Sequence, residues 1–504
     1  MSLTKASYSM ITAAPINVYD YGAVGDGTTD DTAALQAAVT AATGNQLWLG
    51  TGNFKITATI NLPQRIRITG STNRATNTLI TAAFAGPALK YTSGSITSLE
   101  MYLEHFQVQG NYPVYGAGNG IEITNGSSFN MHSCLVAGFG TNQVNIGTGS
   151  YGAIIRDCYF AETYGPGTSN ANLYCASEFC LFDKIESDDG KYSIYLATGA
   201  YGTDIINSTL EGWSVACIKI QNSSTLDRNL IQGNKINGSR GGIGITTDSN
   251  RTHIINNYIA LTGGTSGIVL DTNSYGVHVI GNSITGTSTG INCTNSGLNT
   301  IVGNEIVGAY ALDINSTTYA SEVVGNYLGG TTTALIHRAG NLVKYSANRY
   351  DNASGAYSPP TVVAGSPNSD FWVAFTPTLL VGGSATGITY ATNSQTGYYT
   401  KVGNTVFFNV ALILTSIGSN SGALTVSGLP FASLNNTIYL AAVPLHIEGM
   451  ASTAATMITA KIPQNSSAVS LYKFAAGASS TLNAVDVTNT STIILTGNYL
   501  TTVN

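Results

Sequence analysis

Charge is scarce in this 504-residue chain. Asp, Glu, Lys and Arg together supply 9% of it, where an ordinary soluble domain carries about 25%. The net charge is −6, and with no basic face to hold phosphates, nucleic acid is not an expected partner. No apolar run approaches the ~18 residues of a membrane span, and the opening "MSLTKASYSMITAAP" lacks the apolar centre of a secretory signal. Membrane insertion is not expected either. Six cysteines without paired C-x-x-C spacing argue against a disulfide scaffold or a zinc site, and the thiols are expected to be buried, behaving as small apolar groups. No His, Cys or Asp cluster has the spacing of a metal site, so neither metal nor cofactor is expected.

Glycine is plentiful, at 57 residues, and Ser, Thr and Asn carry the polarity. Against this background "IVGNEI" at 301–306 returns as "VVGNYL" at 323–328. The Asn of the pattern falls at 234, 257, 282, 304, 326 and 348, and the last four are 22 residues apart. Toward the N-terminus the same slot is expected on Ser208, Asp183, Cys158, Cys134 and Phe106. A fixed period of this length marks a solenoid. Each period also holds a second short apolar run ("CIKI", "GIGI", "GIVL", "GINC", "ALDI") and no helical periodicity, so it contains two or three short strands. Coils of that kind stack about 4.8 Å apart as a parallel β-helix, and each slot becomes a column. The Asn slot is expected to form a structural ladder, with left-handed backbone at the bend and amides bonded from coil to coil.

The stretch "INVYDYGAVGDGTTDDTAALQAAVTAA" (16–42) changes period. Leu35, Ala38, Val39 and Ala42 share one helical face and Asp30 or Thr29 is the expected N-cap, so a short amphipathic helix covers the open end of the solenoid. Its Asp-rich turn lacks the bidentate Glu of a calcium loop and reads as part of the cap. "NVYDYGAVGDGTTDDTAALQAAV", with the lead-in "LTKASYSMI", resembles the N-terminal signature of the pectate-lyase-like right-handed β-helix domain of bacteriophage tailspikes. That resemblance, with the repeat, covers roughly residues 5–352. It implies a homotrimer on the phage tail, partnered by tail or baseplate proteins. It also implies that the protein binds and depolymerises a bacterial surface polysaccharide, capsule or O-antigen, at the host cell surface. No virion-attachment domain precedes the signature, so the chain is expected to be a truncated form or one attached through another protein.

After Asn352 the register stops. Residues 353–369 read as a Pro, Gly and Ser linker, and residues 370–504 alternate around turns as a β-sandwich does. The expected organisation is a lead-in over 1–15, a β-helix over 16–352, the linker, and a sandwich over 370–504. The sandwich resembles the C-terminal domain of phage tail proteins, which implies trimerisation or glycan binding. Alternatively it only closes the solenoid.

In so uncharged a chain the acids between 157 and 211 stand out. Counted from slots 183 and 208, Glu186 and Glu211 share a column on adjacent coils, starting about 5 Å apart, the carboxyl separation of a retaining glycosidase. Two carboxyls that close do not both ionise freely, so one is expected to serve as acid. Glu162 and Asp189 are further candidates, Glu162 at the longer separation an inverting enzyme needs. Tyr164, Tyr192, Tyr195 and Trp213 are candidates to stack on sugar rings. The competing reading makes these acids solvated residues of an outer face. His253 and His278, each four residues before its Asn, form a second column and the alternative site of a polysaccharide lyase, which abstracts a proton beside a uronate carboxylate. The competing reading there is a polar outer ladder. The expected chemistry is glycosidic hydrolysis; β-elimination is the runner-up, and a non-catalytic glycan-binding receptor the reading from another class.

Overall fold

The computed structural model describes residues 14–71, 77–161, 171–221, 228–238, 241–315, 321–337, 343–352, 361–362, 369–402, 404–436, 441–451, 457–475 and 478–501. By contacts the chain forms two compact units, 1–313 with 326–332, and 314–325 with 333–504. The expected linker, 353–369, lies largely outside the described residues.

The first unit is a parallel β-helix, as its repeat predicts. Strands of three to five residues recur on each coil and pair in parallel with the equivalent strands above and below. Interior columns are aliphatic or aromatic. One runs Ile155, Phe182, Ile205, Ile231, Ile254, Val279 and Ile301; another runs Val144, Leu173, Ile194, Ile218, Ile245, Ile268 and Ile291. Every one of these residues is fully buried, and each such burial contributes about 1.5–3 kcal/mol. Alternation within each three-residue strand leaves its first and third side chains facing outward, which is how a short repeat presents two outer columns per strand.

The Asn ladder holds the bend between two of these faces. Nδ2 of Asn234, Asn257, Asn282 and Asn304 donates to Oδ1 of the next Asn at 2.9–3.0 Å. The same Oδ1 accepts the backbone N–H of the preceding Asn at 2.9–3.0 Å. One detail of the expectation is corrected. The left-handed residue is the one before the slot: Gly233, Asn256, Gly281, Gly303 and Gly325 have φ between 53° and 67°. The Gly-Asn pair thus divides the labour, Gly turning the chain and Asn bonding the coils.

The slot on the coil near residue 183 is also corrected. Ile185, following the left-handed Lys184 (φ 53°), occupies it, and its N–H donates to Ser208 Oγ at 3.0 Å. The slot accepts a buried apolar residue as readily as an amide. Polarity therefore pointed to Asp183, two residues early.

At the N-terminal end helix Thr32–Ala41 buries Leu35, Ala38, Val39 and Ala42 as expected. The N-cap residue is Asp31, one beyond the expected position. Its carboxylate turns back to the amides of Val24 (2.7 Å) and Gly25 (3.0 Å), while Asp30 accepts from Thr32 N at 3.0 Å. The acids of "GDGTTDD" build the turn. All six cysteines are buried and unbridged.

The second unit contains an antiparallel sandwich. One sheet orders Ser369–Phe375, Ile388–Val402, Thr405–Ile417, Val487–Leu500 and Leu445–Met450; the other orders Thr378–Val381, Leu424–Ser427, Ala468–Ala475, Met457–Ile462 and Ala441–Val443, with Ala478–Thr481 beside Ala468–Ala475. Val406, Phe408, Val410 and Leu412 alternate inward, as do Leu424, Val426, Val469 and Leu471 on the facing sheet. Buried Asp486 accepts from Lys473 Nζ at 2.5 Å and Asn483 N at 2.9 Å, so that its own charge is compensated inside.

Candidate functional site

Moving the slot from 183 to 185 changes which acids meet. Strand Glu186–Asp188 pairs with Thr209–Glu211 so that Glu186 lies beside Thr209 and buried Ser187 beside Leu210. Glu186 and Glu211 are therefore in different columns of one outer face, contrary to the expectation. Continuing the register sets Asp188 beside Glu211. Both are three residues past their slots, so the column rule holds once its origin is right. Their neighbours in that column are Ala161 on one side and Asn237 on the other.

Two adjoining hollows of about 270 Å3 each open on this face. One is lined by Tyr159, Glu186, Ser187, Asp188, Thr209 and Glu211. Lining the other are Asp188, Asp189, Glu211, Gly212, Asn237, Gly238, Ala260 and Thr262. Asp188 and Glu211 are common to both, and so stand at the middle of a continuous groove. Asn237 Nδ2 donates to Glu211 Oε1 at 3.0 Å, fixing that half-buried carboxylate. Burial first, and then the charges of Asp188, Asp189, Glu186 and Glu211, push the Tyr159 phenol above its ordinary value. It thus stays protonated as a donor facing four carboxylates.

The turn that presents Asp188 and Asp189 is tied from inside. The amide of fully buried Asn172 donates to Ser187 Oγ (2.8 Å), Asp188 O (3.1 Å) and Asp189 O (2.7 Å), and Asp189 takes a left-handed φ of 59°. Ser187 is the polar interruption of an otherwise apolar column because it receives this amide.

Opposite, Gly212 has φ 67°, and a Cβ there would lie 2.6 Å from Asp189 Oδ1 and 2.7 Å from Asp188 Oδ1. Only a residue without a side chain lets the two acids close in. Gly212→Ala is expected to cost about 1–2 kcal/mol of backbone strain and to displace both carboxylates. Gly303→Ala, at φ 64° with open space around it, is the matched control. Melting temperature should fall alike in the two, whereas any catalytic activity should fall only in Gly212→Ala; equal activity in both would remove the steric argument.

The other sequence candidates divide. Glu162 and Tyr164 lie outside the described residues. Trp213 does not line the groove: it is fully buried, and Gly238 leaves room for its indole, a Cβ there lying 2.8 Å from Cζ2. Its apolar bulk won over its stacking surface, since the interior offers more contact than a groove wall. Tyr192 and Tyr195 sit on the next face, past the bend at Asp189 and Gly190, with ring centroids 5.1 Å apart. Tyr195 also packs edge-on against Tyr174 at 5.5 Å, and Lys191 Nζ lies 5.5 Å over Tyr192. His253 and His278 stack as counted, 4.7 Å between centroids and 9° from parallel. They face a separate cavity of about 530 Å3 shared with Arg228 and Arg251.

Tyr159, Asn237 and Asn172 line or support this groove without having been sequence candidates, and Asp188 stood only among the wider set of acids between 157 and 211. Asp188 was within reach, because the residue after a left-handed position marks the slot and Asp188 is the third beyond Ile185. Asn172 was not, since it sits on a different strand of the preceding coil and acts through the interior.

Residues 15–111 match the family "Rhamnogalacturonase A/epimerase, pectate lyase-like", and residues 192–348 match "Right handed beta helix region". A capsule-specific depolymerase of Klebsiella phage K5-2 is 33% identical over 151 residues, which is 27% of this chain and 19% of that protein. The chain thus spans about a fifth of that relative's length. Among solved structures the Dettilon tailspike protein aligns over 96% of this chain and 94% of its own, with TM-score 0.63 and 18% identity. The A-module of a mannuronan C-5 epimerase from Azotobacter vinelandii aligns over 70% and 99%, with TM-score 0.51 and 16% identity. At such identities the agreement is one of fold. On these matches and its coil geometry, the chain has a right-handed parallel β-helix fold, with an N-terminal stretch similar to the pectate-lyase-like family and coils similar to the right-handed β-helix family.

Proposed function

We propose that the protein is a phage tailspike depolymerase that cleaves a bacterial surface polysaccharide, capsule or O-antigen, by hydrolysing a glycosidic bond in the groove around Asp188 and Glu211. The observation that carries this reading is that these two acids are shared by both hollows of the groove. Stacked on strands about 4.8 Å apart, they suit a retaining mechanism, in which the carboxyls stand about 5–5.5 Å apart. Glu211, held by the Asn237 amide, is oriented to attack the anomeric carbon. Asp188 protonates the leaving oxygen and then activates the water that releases the sugar. Glu186 and Asp189 flank the pair, and Tyr159 donates to a hydroxyl of the bound ring. Tyr192 and Tyr195 offer stacking faces beyond the bend. The relatedness to a capsule-specific depolymerase supports the substrate class.

A second reading, β-elimination at His253 and His278, is favoured by one observation. Burial, and then the nearby His278 and Arg228, hold the His253 imidazole below its ordinary value, leaving it neutral and able to take a proton beside an arginine. Incubation with capsule from a sensitive host separates the readings. New reducing ends without ultraviolet-absorbing unsaturated ends support hydrolysis; unsaturated ends support elimination; binding with neither supports a non-catalytic receptor.

Assembly as a homotrimer on the phage tail belongs to the same proposal. Within the sandwich, the outer face of one sheet exposes Trp372, Tyr398, Phe407, Ile413 and Ile494. An apolar patch of that kind suits contact with further copies of the chain.

A further inference from the structure

Two arginines depart from the pattern of charge in this protein. Among the described residues, Arg65, Arg67, Arg156 and Arg349 stand in ion pairs with Glu100, Glu104, Asp183 and Asp351, at 3.8, 2.7, 3.8 and 2.6 Å. Arg228 and Arg251 have no carboxylate partner there. Both are exposed, and both line the 530 Å3 cavity with the stacked imidazoles of His253 and His278. Gathering two unpaired guanidinium groups beside two imidazoles in one cleft is unfavourable while the cleft is empty, in a protein of net charge −6. An anion entering it would relieve that repulsion and receive charge-assisted hydrogen bonds, which guanidinium groups give to carboxylates in a fork geometry. Leu230 adds apolar surface at the same place, as a sugar ring needs and a free inorganic ion does not. The strands that form the cleft, Leu230–Gln232, His253–Ile255 and His278–Ile280, follow directly on the coils that carry Asp188 and Glu211. A polymer lying along the solenoid at the groove would reach it within a few sugar units.

We infer that this cleft is a binding subsite for an acidic sugar, gripping the carboxylate of a uronic acid unit of the polymer between Arg228 and Arg251. The inference rests on the polysaccharide reading but not on the cleaving residues. It specifies the polymer as acidic and places a gripping point away from the carboxylate groove.

The test follows the ring carbon-bound proton signals of His253 and His278 in the full chain during titration with glucuronate, methyl glucoside and inorganic phosphate. Glucuronate is expected to shift both signals saturably, methyl glucoside to leave them in place, and added salt to weaken the glucuronate effect. Arg228→Ala and Arg251→Ala should each weaken glucuronate binding roughly tenfold with melting temperature unchanged. Equal shifts with methyl glucoside, shifts with phosphate but none with glucuronate, or unaltered binding in both arginine variants would overturn the inference. Reducing-end release is assayed separately. Near-normal cleavage in Asp188→Asn with saturable glucuronate shifts would overturn the groove reading alone, whereas loss of cleavage in Asp188→Asn with no glucuronate shift in the parent chain would overturn this inference alone.

Discussion

Asp188→Asn and Glu211→Gln are each expected to lower reducing-end release by about a thousandfold or more, the scale on which loss of a positioned acid, base or nucleophile acts. Glu186→Gln should cost about tenfold or less, because Glu186 faces Thr209 in the neighbouring column and acts on the pair only through its charge. The ranking is the informative part. Asp188 is exposed, so its replacement should leave the melting temperature nearly unchanged, which separates lost chemistry from lost fold. The anomeric configuration of the product, followed by NMR in the first minutes of reaction, should be retained. Inversion would mean carboxyls about 6.5–9.5 Å apart and would exclude two acids stacked on adjacent coils. Near-normal activity in Asp188→Asn together with loss in Glu186→Gln would move the chemistry one column over.

The second large effect is on stability. Asn304 Nδ2 donates to Val279 O (2.9 Å), Val302 O (3.2 Å) and Asn326 Oδ1 (2.9 Å), and its Oδ1 accepts from Asn282 N (2.9 Å) and Asn282 Nδ2 (3.0 Å). Asn304→Ala strands several of these partners where the side chain is 1% exposed, at about 1–3 kcal/mol for each group left unsatisfied. A total of about 3–5 kcal/mol is expected, beyond the usual range of single substitutions. It should be read as an earlier first thermal transition and faster proteolysis of the full chain. Asn304→Ser should be milder. The chain itself uses Ser at this slot: Ser208 Oγ accepts from Ile185 N at 3.0 Å and donates to Ile206 O at 2.9 Å. Equal stability of Asn304→Ala and the parent would show that coil stacking owes little to the ladder.

These two predictions draw on different kinds of information. The ladder was legible in the residues, because an Asn recurring every 22 to 25 residues, at four of six positions directly after Gly, has few physical uses other than a bend bonded to its copies. The capping helix was legible from the spacing of Leu35, Ala38, Val39 and Ala42, and the sandwich from alternation such as Val406, Phe408, Val410 and Leu412. The His253–His278 stack followed from counting alone, since both coils carry an intact Asn slot. Counting failed on the coil that carries Glu186 and Asp188. There the slot is Ile185, the strand interior is Ser187, and the bend is held by Asn172, so none of the usual markers is in place. Local departures of this kind are expected where a fold accommodates a site.

By itself the sequence determined that this protein is a stack of short-stranded coils. Each coil repeats the same exchange between a left-handed turn, an apolar interior position and a bonded amide, and such local exchanges depend only on near neighbours along the chain. Only the tertiary structure decided which carboxylates face each other, that Trp213 belongs to the interior, and that Arg228 and Arg251 share a cleft with two imidazoles. Those facts depend on the register between coils, and a shift of two residues, invisible to composition and period, moves a side chain into the next column of the same face.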